Sequence, residues 1–279
     1  MQNFWQALQS PSRPDPAKLS LFTGLLALVL VLARLVQLPG PRRAFTVGEV
    51  QVTLALNAAL GLAVLLAALT WTGMDWLLRD HPAYRPRRLV WHALLPTFAL
   101  WALEAALLAL PVGPMWWFVF GAGLAALVVV LLAEFVVLDP QDPRALWAGL
   151  GLQAVAYGLY LLLALAVRAA GWRLLFAAPL LAVGAWVVAR RLWALRSRAP
   201  SWWADGVVLV VMGHLSVAWF YAPLGPLAYS LVLLGALYAL VPLLAEPAAG
   251  RPWNEAWTEP LATAAGLWLL AVVLEWMRR

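Results

Sequence analysis

The chain has no cysteine, a single lysine (Lys18) and only three histidines, His81, His92 and His214. Without cysteine there can be no disulfide, thiolate nucleophile, iron–sulfur cluster or cysteine-bound zinc, and the redox compartment leaves no trace. Lys18 precedes the first apolar run, so no lysine lies inside a membrane span to form a Schiff base with retinal or another carbonyl. Charge is scarce too: 11% of the 279 residues are Asp, Glu, Lys or Arg, against about 25% in soluble domains. No Walker loop, G-x-S-x-G elbow, H-E-x-x-H motif, haem-type histidine pair or dinucleotide fingerprint occurs. Nucleotide-driven transport and the common hydrolase chemistries therefore have no residues to rest on. No cofactor, metal-ligating set or catalytic residue is assigned.

What the chain has in excess is apolar surface. Hydrophobic residues make up 65% of it and the mean hydropathy is +0.84, more than a soluble fold can hide. Several runs reach the roughly 20 residues needed to cross a hydrocarbon core of about 30 Å, and the period-two alternation of a membrane barrel is absent. The sequence predicts an all-α, polytopic transmembrane helical bundle. Its net charge of +6 sits at helix ends and in short loops rather than along one face. That arrangement orients a membrane protein and excludes nucleic acid as a partner, leaving lipids as the expected one.

Residues 1–18, with Phe4, Trp5 and Leu8 on one face, read as an interfacial segment. Nine spans follow: Leu19–Leu38, Val47–Thr72, Leu89–Leu110, Met115–Leu138, Ala145–Val167, Leu174–Trp193, Ala204–Tyr221, Leu227–Ala245 and Leu261–Trp276. The last is the shortest, and eight spans result if it does not cross. Arg34 is placed to snorkel outward from the first span, and Ala154 with Gly158 offers a small-xxx-small contact surface. Counted by alternate sides, twelve of the nineteen basic residues fall with the amino terminus, which predicts a cytoplasmic amino terminus in a cell membrane.

A shift of 112 residues lays Pro111–Glu134 over Pro223–Glu246, aligning Pro111, Gly113, Pro114, Gly123 and Glu134 with Pro223, Gly225, Pro226, Gly235 and Glu246. Read as duplication, this predicts one helix (19–46) followed by two parallel four-helix repeats, 47–171 and 172–279. In transporters the interface between such repeats is where substrates sit.

Ionisable groups in apolar spans are costly and suggest function. Glu104 aligns with Ser216 under the same shift, and His214 stands nearby, so these three are predicted to meet in an intramembrane polar pocket able to relay protons. Asp80, His81, Glu134, Asp139, Asp142 and Glu246 are placed at the cytoplasmic rim. Arg85, Arg87, Arg88, Arg190 and Arg191 set topology or hold lipid headgroups. The eighteen tryptophans are expected mostly in an interfacial belt.

The nine-helix, two-repeat plan resembles that of the intramembrane aromatic prenyltransferases, which would imply an enzyme holding a lipid diphosphate through metal-bound aspartates. The resemblance fails at half the site. Asp75 and Asp80 are oddly spaced, and the second corresponding loop offers only Asp205. Segments such as DWLLRDHP at Asp75–Pro82 and LLAEFVVLDPQDP at Leu131–Pro143 resemble an uncharacterised family of bacterial multi-pass membrane proteins, which implies no activity. Three functions stay open: non-enzymatic handling or transport of a small solute or lipid, an accessory subunit of a membrane complex, and a lipid-substrate enzyme at the cytoplasmic rim. Small-molecule and protein partners and oligomeric state are not fixed by the sequence.

Overall fold

A computed structural model describes residues 14–35, 42–47, 50–55, 58–86, 89–196, 202–245 and 253–278. Nine long helices occur among them: α1 (Pro16–Leu35), α2 (Ala58–Leu78), α3 (Leu89–Ala109), α4 (Pro114–Val136), α5 (Ala145–Ala169), α6 (Leu174–Leu195), α7 (Trp202–Phe220), α8 (Pro226–Ala245) and α9 (Trp253–Arg278). Each is long and apolar enough to cross a membrane, and the chain is an all-α multi-pass protein. The final helix, expected to be the weakest span, contributes 22 such residues, so by length and composition nine spans stand rather than eight.

Where the second span was expected to begin, the chain is extended. Strand β1 (Arg42–Val47) pairs antiparallel with β2 (Val50–Ala55), from Arg42 opposite Ala55 to Val47 opposite Val50, and α2 starts only at Ala58. Thr46, Val47, Val50, Val52 and Thr53 are β-branched, and their stiff side chains favour extended backbone. Summed hydropathy is blind to that preference. Glu49, Gln51 and Asn57, assigned to the span, thus all precede α2; Glu49 and Asn57 lie outside the described residues, as does most of the amino-terminal segment.

The chain divides into two compact units, Met1–Ala148 and Gly149–Arg279. In the first, α2 packs on α3, α3 on α4, and α1 against α2 and α4. Leu26, Leu66, Met74, Leu77, Leu100, Leu103, Trp116, Leu131 and Phe135 fill the middle. The α3–α4 hairpin turns at Gly113, with Pro114 at the first helical position, where proline's missing N–H costs nothing. Its helices approach closely because Gly123 leaves room for Leu103; a Cβ at that glycine would lie 2.2 Å from a Leu103 methyl.

In the second unit the broadest pairing is α8 with α9, followed by α6 with α7, α7 with α8 and α6 with α8. Gly235 on α8 accommodates the Trp268 indole of α9, whose nitrogen a Cβ would approach to 2.9 Å. Among the described residues the contact expected of Ala154 and Gly158 does not form, since a Cβ on Gly158 would meet nothing within 4 Å. Helix α5 instead buries Leu152, Ala156, Tyr160, Ala164 and Val167. Gly184 of α6 takes the small-residue role there, against Leu163.

Tryptophan does more than line an interface. Indole N–H groups donate between helices: Trp101 to the Ala63 carbonyl at 2.8 Å, Trp116 to Leu107 at 3.1 Å, Trp193 to Val241 at 3.0 Å and Trp268 to Val232 at 3.0 Å. The Leu107 carbonyl needs such a donor, because the residue four positions on is Pro111, which has no N–H.

Candidate functional site

The first unit gathers its polar groups at the end where α2 finishes, α3 begins and α4 finishes. His92, one turn into α3, and Glu134, in the last turn of α4, meet with Nδ1 and Oε2 2.9 Å apart. They are 7% and 0% exposed. Hairpin arithmetic explains the meeting, for each residue stands 21 positions from Gly113. A carboxylate beside Nδ1 accepts that nitrogen's proton and leaves Nε2 with a bare lone pair, the tautomer in which imidazole acts as a base. Pro96 adds backbone polarity here, since it has no N–H to give the His92 carbonyl one turn earlier. The next buried hydroxyl, Thr97, donates to Ala93 at 2.7 Å.

His81 stands in the turn after α2, 3% exposed, with its ring edge-on to Phe135 at 4.8 Å. The Ala83 N–H donates to its Nδ1 at 3.1 Å, which fixes the opposite tautomer, with the proton on Nε2. Burial holds the His81 imidazole below its ordinary pKa; the Asp139 and Asp142 charges pull it back up, and His92 is close enough to oppose a second positive charge.

Other rim carboxylates are occupied. Asp142 pairs with Arg144 at 2.7 Å, a contact that holds its carboxyl below the usual range. Asp80 takes Lys18 of α1 at 2.5 Å. Asp75 accepts from both Arg79 and the Tyr84 hydroxyl; burial, then this bond, pushes Tyr84 up to about 12. Among the described residues no group of three or more His, Asp or Glu side chains is arranged to hold a metal ion.

Glu104 lies 12 residues further along α3 than His92, roughly 18 Å along the helix axis at 1.5 Å per residue. It is 6% exposed and lines a recess with Leu30, Ala33, Arg34, Leu62, Leu107 and Leu108, large enough for about one water molecule. Arg34, expected to snorkel outward, turns to the protein and donates to the Leu110 carbonyl at 3.1 Å, just before the hinge. A carboxyl and a guanidinium thus border one otherwise apolar recess.

His214 and Ser216 belong to the second unit. His214 is exposed, its Nδ1 2.7 Å from the Val210 carbonyl of its own helix. Ser216 is buried and donates to Gly213 at 2.8 Å, while its carbonyl accepts the Tyr229 hydroxyl at 3.0 Å. Arg190 pairs with Asp205, which also takes the Trp186 indole. Arg191 is 1% exposed. The second hinge is pinned by Glu275 of α9, which accepts the Gly225 N–H at 2.8 Å. Arg85 is exposed; Arg87, Arg88 and Glu246 lie outside the described residues.

The His92–Glu134 pair was missed by the sequence reading, which judged each acid by its own span. Counting outward from the P-x-G-P hinge puts the two at one level and finds them.

Comparison with known proteins gives a match over residues 38–274 to the family described as "Protein of unknown function (DUF5656)". No curated protein and no solved structure matches the chain.

Proposed function

The chain belongs to that family of unknown function, which assigns it no activity, and from the residues themselves we propose a membrane protein that handles a small solute or lipid, with Glu104 binding and releasing a proton. One observation carries the reading. Glu104 is buried in an apolar span, beside a recess that it shares with Arg34. A charged residue at such depth costs about 2.5–3.5 kcal/mol on insertion scales, a cost that selection tolerates where the group is used. Arg34 borders the same recess but donates to the Leu110 carbonyl, and no ion pair among the described residues fixes the Glu104 carboxyl in one form.

This reading places the work in the first unit. His214 and Ser216, satisfied on their own helix, are not needed for it. Duplication belongs to the same proposal. Shifted by 112 residues, the start of α3 falls one residue from that of α7, and the start of α4 falls on that of α8. The aligned glycines do not share partners, however, since Gly123 receives Leu103 of the preceding helix and Gly235 receives Trp268 of the following one.

The test is proton movement in liposomes containing the purified protein and a pH dye, with candidate solutes applied as gradients. Solute-driven proton flux in the wild type should fall at least tenfold in Glu104→Gln and persist in part in Glu104→Asp. Flux unchanged by Glu104→Gln removes the mechanism.

A further inference from the structure

We infer that Glu134 and His92 form a proton-accepting dyad at the α2–α3 end of the first unit, in which His92 Nε2 is the acceptor and His81 the neighbouring Nε2–H donor. The ligand is the proton itself, delivered by hydronium. Its arrival on the Nε2 lone pair makes an imidazolium and leaves a water molecule behind; release reverses the step with no other bond changed. The inference rests on the Glu104 proposal only for its purpose, as the port through which such a protein exchanges protons with water on this side.

Three features carry it. The first is the 2.9 Å contact between His92 Nδ1 and a fully buried carboxylate, which orients the ring and offsets the charge that Nε2 gains. Such an ion–imidazole pair is stronger in a low-dielectric setting than in water. The second is the opposite tautomer of His81, set by the backbone N–H of Ala83. His81 cannot take a proton on Nδ1 without giving up that bond, so it offers hydrogen while His92 offers a lone pair. The third is composition: of three histidines in 279 residues, two are buried at this one end.

The elements packed around the dyad carry further charged groups. The α2 end and the turn after it bring Asp75, bound by Arg79 and Tyr84, with Asp80 bound to Lys18 of α1. The α4 end and the turn beyond it bring Asp139 and the Asp142–Arg144 pair. Those acids draw protons toward the rim, and none replaces Glu134 against the His92 ring.

The full-length protein in nanodiscs, labelled with nitrogen-15 in its three imidazoles, gives the test, with His214→Gln and His81→Gln variants to assign signals. Near neutral pH, His92 should show a protonated Nδ1 and bare Nε2, and His81 the reverse. On acidification His92 Nε2 should become protonated in exchange with water, and Glu134→Leu should erase the Nδ1–H preference. Three outcomes would overturn the dyad: the opposite tautomer at His92, both its nitrogens protonated at every pH, or an Nε2 that takes no proton while the fold persists. The wild-type measurement stands even if Glu134→Leu fails to fold. No readout requires transport, so absent flux with these tautomers sinks the Glu104 reading alone.

Discussion

His81 shows how one side chain couples the rim to pH. Its imidazole is held neutral by burial, below the roughly 6.5 of a free histidine. A group with a depressed folded pKa supports the fold fully above its unfolded value. That support is lost as pH falls through the folded value, because only the unfolded chain takes the proton easily. Thermal stability is therefore expected to drop as pH falls below about 6.5. In His81→Asn, where a side-chain oxygen still accepts the Ala83 N–H as such turns allow, the drop should flatten. A melting series across that range checks it, and an unchanged slope in the variant assigns the titration elsewhere. At the same scale, Glu104 was legible as an intramembrane acid, whereas its neighbour Arg34 was not: nothing local says that a terminal arginine turns inward to a hinge carbonyl.

Helix-to-helix contacts are where the sequence spoke least clearly. Span positions followed from hydropathy, yet the choice of contact residues depended on partners that no single span reveals, as Gly158 and Gly184 show by exchanging the expected role. The β1–β2 hairpin was hidden in the same way, its β-branched residues absorbed into an apolar total. Gly235 gives the sharpest element-scale prediction. A methyl there presses on the Trp268 indole nitrogen and comes within 3.3 Å of the Ala264 carbonyl, disturbing the bond from Trp268 to Val232. Gly235→Ala should cost about 1–3 kcal/mol, the usual range for overpacking. The cost should shrink in a Trp268→Leu background, where the indole is gone; unfolding in detergent, run as a double-mutant cycle, measures the coupling. Additive effects would show that the two side chains do not share the space.

Across the whole molecule, composition decided the class, visible in the nine apolar helices among the described residues, and the P-x-G-P motif marked where the α3–α4 hairpin turns. Polar groups at the two ends of α3 were legible only singly, because depth in a bundle is shared between helices that the sequence lists far apart. The proposed role of Glu104 requires that its buried carboxyl exchange a proton. A hydrophobic carbodiimide tests it most directly, since it adds to a carboxylic acid in apolar surroundings and needs no knowledge of the solute. A mass adduct is expected on the Glu104 peptide of the membrane-embedded protein, rising as pH falls and absent in Glu104→Gln. A Glu104 that stays unmodified at every pH while other carboxyls of the same sample react would contradict it.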